Sequence, residues 1–142
     1  MSSTTLAQAM NERVDDPDVV ELEVPASAAY LAVVRTAAAG LAARVDLTLD
    51  RIEDLRIAVD EACALLLPQP FDGPLSESLR CTFTLNEASL IVDVVGPHTQ
   101  LPQKSAFAWA VLSALVDSLE CGDEGGRTWL SLVVRRGEGA RS

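Results

Sequence analysis

The stretch Leu55-Arg56-Ile57-Ala58-Val59-Asp60-Glu61-Ala62-Cys63-Ala64-Leu65-Leu66-Leu67 decides the fold of this chain. At 100° per residue, Ile52, Leu55, Val59, Ala62, Cys63 and Leu66 fall on one stripe, the face a helix turns to a core. Glu61 falls on the far side with Ile57, Ala64 and Leu65. A carboxylate among aliphatic side chains is costly to bury without a metal ion, a hydrogen-bond donor or a basic group from a partner. The other reading of Asp60 and Glu61 is a half-solvated helix rim.

Outward from this helix, the pattern predicts alternating layers. Residues 19–24 partly alternate apolar with acidic and Pro25 closes them, which predicts an edge strand. Ser27 is placed to cap a helix over residues 28–44 with Leu31, Val34, Ala38, Leu41 and Val45 inward. Thr48 or Asp50 starts the second helix, and Pro68, Pro70 and Pro74 end it. Residues 78–85 place Leu79, Cys81, Phe83 and Leu85 on one face. With residues 89–95 they predict an antiparallel hairpin across Asn86, Glu87 and Ala88. After a loop over 96–104, a third helix is expected from Ser105 to about Leu119, with Phe107 leading one apolar face and Trp109 the other. A turn over 122–126 and a last strand over 128–135 follow, with a further short strand possible at 119–121. This order predicts an α/β two-layer sandwich: a mostly antiparallel mixed sheet with three helices on one face. One domain over 19–136 is expected between a flexible acidic N-terminal arm (1–18) and a disordered tail (137–142).

The chain has 142 residues, 49% of them hydrophobic, enough for one real core. Its formal net charge of -10 repels phosphate backbones, which excludes a direct nucleic-acid role. That charge suits a partner with a basic surface, and it also simply favours solubility. No run approaches 18 uninterrupted apolar residues, so no membrane span is expected. The N-terminus lacks the pattern of a secretory signal, which implies a cytoplasmic protein. Cys63, Cys81 and Cys121 lack metal-type spacing and read as buried free thiols. His98 is the one histidine and has no neighbouring cysteine, so neither a metal site nor a Cys-His catalytic pair is expected.

The element order, with Val45-Asp46-Leu47-Thr48-Leu49-Asp50 leading into residues 55–62, resembles the histidine-kinase-like (GHKL, Bergerat-fold) ATPases. Within them it is similar to the branch of anti-sigma factors and serine-protein kinases, over residues 19–135. The resemblance implies ATP and Mg²⁺ as cofactors, with Glu61 as the catalytic base of an active member. It assigns a degenerate nucleotide site to Glu61, Asp93 and Gly96. The chain departs from the family pattern at several places. Leu65 stands where an asparagine holds magnesium, and it has no lone pair to offer. Val94 stands at the adenine-reading aspartate and His98 at a second glycine, with Asp93 one residue early. A single-residue offset reverses side-chain direction along a strand. Ala106 and Ala108 replace phosphate-cradling glycines. Firm cofactor binding is therefore not expected.

The resemblance further implies a sigma-binding face on the first helix, with Arg35 as the contact residue flanked by Tyr30 and Thr36. The function it implies is an anti-sigma factor, a homodimer that sequesters an alternative sigma factor until an anti-anti-sigma antagonist protein releases it. The alternative is an ATP-dependent serine/threonine protein kinase that phosphorylates that antagonist. The Trp109 face would serve a partner or fill the vacated nucleotide cavity.

Overall fold

The computed structural model describes residues 17–68, 77–103 and 106–137. The expected N-terminal arm, apart from Pro17 and Asp18, lies outside these residues. So do the end of the proline-rich segment after α2, the expected start of the third helix at Ser105, and the tail beyond Gly137. Among the described residues the order is β1 (Asp18–Pro25), a 3₁₀ turn (Ala28–Tyr30), α1 (Leu31–Arg44), α2 (Leu49–Leu65), β2 (Ser78–Leu85), β3 (Ser89–Pro97), α3 (Phe107–Leu115), β4 (Ser118–Glu124) and β5 (Arg127–Arg135). The strands form one sheet in the order β1-β2-β3-β5-β4. Every neighbouring pair is antiparallel, so the parallel component of the expected mixed sheet does not occur.

Alternation sorts the side chains of the sheet. Leu79, Cys81, Phe83, Leu90, Val92, Val94, Leu130, Leu132 and Val134 are buried on the inner face, where the helices pack. Asp93, Val95 and Trp129 belong to the opposite, helix-free face. From above, α1 contributes Leu31, Val34, Ala38 and Ala42 to the core, while α2 contributes Leu55, Ala58, Val59, Ala62 and Cys63. Burial of this kind is worth about 25 cal/mol per Å² of apolar surface, the main term favouring the fold.

The turn between α1 and α2 fixes how those helices sit. Asp46 adopts a positive φ of 62°. The Leu47 and Asp46 amides donate to the Ala42 and Ala43 carbonyls, at 3.3 and 3.1 Å. This is a Schellman arrangement, and buried Leu47 supplies its apolar contact. Thr48 then caps α2, its hydroxyl accepting from the Arg51 amide at 3.2 Å, an interaction worth about 1 kcal/mol. At the other end of the sheet, β4 and β5 are joined by Gly125 and Gly126, both at positive φ, as a two-residue hairpin requires.

The third helix is shorter than its apolar pattern predicts. It ends at Leu115, and Val116 is already extended. Asp117 explains the early stop. Its amide donates to the Val133 carbonyl at 2.8 Å, and its carboxylate accepts from the Arg135 amide and from the Arg51 guanidinium. These bonds draw the chain into the sheet, and the short strand anticipated at 119–121 becomes the seven-residue β4.

Cys63 and Cys81 are free and wholly buried, whereas Cys121 is only half-buried. Hydrogen bonding to Cys81 and burial both push the Cys63 thiol above its usual range. Thiol titration of the native protein should therefore count one rapidly reacting cysteine, Cys121, with the other two appearing only on unfolding. Rapid labelling of all three would mean that the α2–β2 contact opens freely.

Candidate functional site

Two regions of α2 correspond to the two roles its sequence suggests. Arg35 of α1 and Asp60 of α2 meet where the helices pack side by side, Nη1 to Oδ1 at 2.6 Å. Their chain neighbours Val34 and Val59 are fully buried, so both backbones are anchored. The side chains themselves keep 33% and 45% of their surface in water. Tyr30 and Thr36 are exposed as well. They do not share one face, however: Arg35 leans toward α2, its neighbour Thr36 projects outward a further 100° round α1, and Tyr30 stands in the 3₁₀ turn before the helix. Together they make a broad surface, not a single pocket.

Glu61 lies a further 100° around α2, half-buried, on the flank it shares with Ala58 and Leu65. Leu65 packs against the hydrophobic core, as do Leu101 and Ala106. Gly96 is on the inner face of β3, and its neighbours explain why no side chain fits there. A Cβ at that position would stand 2.8 Å from Leu79 Cδ2, 3.2 Å from the Leu66 carbonyl oxygen and 3.3 Å from Leu66 Cβ. The missing side chain thus admits the protein's own leucines, leaving no cradle for a ligand at this glycine.

Asp93 corrects the expected grouping. β3 keeps unbroken register with β5 from Ser89 to Pro97, so no bulge returns Asp93 to the inner face. It lines a shallow cavity of about 270 Å³ on the helix-free face with Val95, Glu124, Arg127 and Trp129. Glu61 and Asp93 are therefore separated by the sheet and share no site.

The loop after β3 is held down by Thr128, Asp123 and Trp109. Thr128 is the one buried polar side chain among the described residues. Its hydroxyl lies 2.6 Å from Asp123 Oδ1 and 3.1 Å from the Thr99 carbonyl, and it accepts from the Thr99 amide at 2.9 Å. His98 Nδ1 approaches the same Asp123 oxygen at 3.3 Å. Further along, buried Trp109 donates its indole N–H to the Pro102 carbonyl at 2.8 Å. Trp109 and Leu112 thus pack inward as filling, while Phe107 on the other face of α3 is 82% exposed. Thr128 was legible in principle, as a lone hydroxyl in an otherwise aliphatic inward row. Asp60 was visible as an acid, but its pairing with Arg35 needed the helix–helix register.

These residues do not fit magnesium-ATP. Leu65 offers no ligand, the space at Gly96 is filled, Asp93 faces away, and Ala106 starts α3 without a side-chain cap. Among the described residues no group of three or more His, Cys, Asp or Glu side chains is arranged to hold a metal ion.

A two-layer sandwich with this strand order, a long acid-bearing α2 and a short α3 beside β4 is the histidine-kinase-like ATPase fold. A solved structure of the RsbU and RsbW domains of Rv1364c from Mycobacterium tuberculosis shares it, with a TM-score of 0.63 at 16% identity over 83% of this chain and 32% of that longer one. No protein-family model matches the chain. Among curated proteins, the serine-protein kinase RsbW of Bacillus thuringiensis is 35% identical over 138 residues, covering 82% of this chain and 86% of the relative. RsbW of Bacillus subtilis is 45% identical over 80 residues, and that of Halalkalibacterium halodurans 42% over 60. These two matches span only 50% and 37% of the relatives' lengths. The chain belongs to the RsbW family.

Gly96→Ala should lower stability by about 1–3 kcal/mol through overpacking against Leu66 and Leu79, read as a fall in the denaturation midpoint. A neutral substitution would show that free space remains between the end of α2 and β3.

Proposed function

We propose that this chain is an anti-sigma factor that holds an alternative sigma factor away from RNA polymerase, and that an anti-anti-sigma antagonist releases it by competing for the same face. The observation carrying this reading is the contrast between the two flanks of α2. On one, Arg35 is held at the surface by Asp60; on the other, the surroundings of Leu65 and Gly96 are closed by the protein's own aliphatic groups. Family membership supplies the class of partner. The acidic balance of the chain favours a sigma subunit with basic patches around the acid that meets Arg35.

In this reading the protein acts in the cytoplasm as a homodimer. No helix among the described residues is long and apolar enough to cross a membrane. Sedimentation should give twice the mass of one chain, and a strictly monomeric species would remove the dimer from the account.

The kinase reading draws on the name of the relatives, serine-protein kinase, and on the retention of Glu61. The same assay separates the two. Each purified alternative sigma factor of the source bacterium is titrated against the chain, and its antagonist is offered with labelled Mg-ATP. One sigma factor should bind with Kd below about 1 μM, Arg35→Ala should weaken it by about 30-fold or more, and no phosphate should transfer. Binding by none of them, or transfer abolished by Glu61→Ala, would contradict the proposal.

A further inference from the structure

The Arg35–Asp60 contact has a geometry that bears on how the proposed partner face works. Arg35 donates through Nη1 alone, to one Asp60 oxygen, and among the described residues its guanidinium makes no other hydrogen bond. A guanidinium carries five N–H donors in a planar fork. Engagement of Nη1 leaves the opposite edge, Nε with Nη2, which is an edge that grips a carboxylate through two parallel bonds. Both residues sit on turns whose neighbouring side chains are locked in the core, so the tether holds the long arginine from a rigid base.

We propose that Asp60 is a positioning residue: it fixes the Arg35 guanidinium so that the Nε–Nη2 edge is presented to a carboxylate of the partner protein. This deepens the anti-sigma reading and rests on it. An unheld arginine samples many rotamers, and a partner that binds it must first arrest them; a tether made in the free protein removes that step. Stability gives little reason for the pair, since an ion pair this exposed contributes almost nothing to folding. Asp60 also places a negative charge near the incoming acid, which works against binding. Orientation outweighs this repulsion, a sign that experiment can read.

The test uses the sigma subunit that binds the wild-type chain and follows its affinity for Asp60→Ala, Asp60→Asn, Arg35→Ala and the double alanine variant, with melting curves to confirm folding. Asp60→Ala should weaken binding about three- to tenfold. Asp60→Asn, which keeps the accepting oxygen and the shape, should recover part of the loss. In the Arg35→Ala background, Asp60→Ala should bring no further loss, because the favourable effect of Asp60 runs through Arg35 and only its repulsion is left to remove. Unchanged or tighter binding by Asp60→Ala, or a loss that simply adds to that of Arg35→Ala, overturns the assignment while leaving the anti-sigma reading intact. Full binding by Arg35→Ala likewise overturns the assignment, whereas the anti-sigma reading fails separately, when no sigma subunit binds the wild-type chain.

Discussion

Helix α2 comes down on the sheet where β3 has no side chain. At Gly96 the C-terminal end of the helix and the Leu79 side chain close to within 2.8–3.3 Å of where a Cβ would stand, so a side chain there would force its neighbours to shift. That contact sets the height of α2 above the sheet, and with it the positions of Val59, Ala62 and Cys63 in the core. The Schellman turn at Asp46 and the Thr48 cap then hand the geometry back to α1. Arg35 meets Asp60 because those constraints leave the two helices one arrangement.

The same closeness separates a scaffold from the chemistry its family is named for. Phosphoryl transfer depends on positioning and charge stabilisation, which need a metal ligand, a backbone cradle and an adenine anchor on one side of the sheet. Here Leu65 packs against the core, the space at Gly96 is closed by Leu66 and Leu79, and Asp93 lies on the helix-free face of the sheet. The loop after β3, which would have to move over a nucleotide, is pinned to Thr128 and to the Trp109 indole. Close-packed interiors fill rather than keep voids, and Trp109 and Leu112 of α3 are buried in the same core.

Most of the architecture was legible in the residues themselves. Periodicity placed α1 and α2 and their inward stripes, and alternation placed β2, β3 and β5 to within a residue or two. The third helix was not legible at its end, because Val116 and Leu119 continue a helical spacing while Leu119 and Cys121 equally suit a strand. Only the bonds of Asp117 to β5, distant in sequence, decide between them. The candidate site was less legible. Asp93 was grouped with Glu61 by proximity to a motif although alternation turned it away, and only the unbroken pairing of β3 with β5 shows that no bulge brings it back. The Thr128 and Asp60 partnerships likewise join segments 29 and 25 residues apart.

The claim on which these points converge is that the interior beside Glu61 is occupied by the chain's own side chains. The most direct measurement is the melting temperature of the full chain with and without millimolar Mg-ATP. A ligand that binds only the native state must raise it, by several degrees at about a hundredfold excess over Kd. The account predicts a shift indistinguishable from that given by magnesium and free phosphate. A rise of about 4 °C or more, specific to the nucleotide, would contradict it.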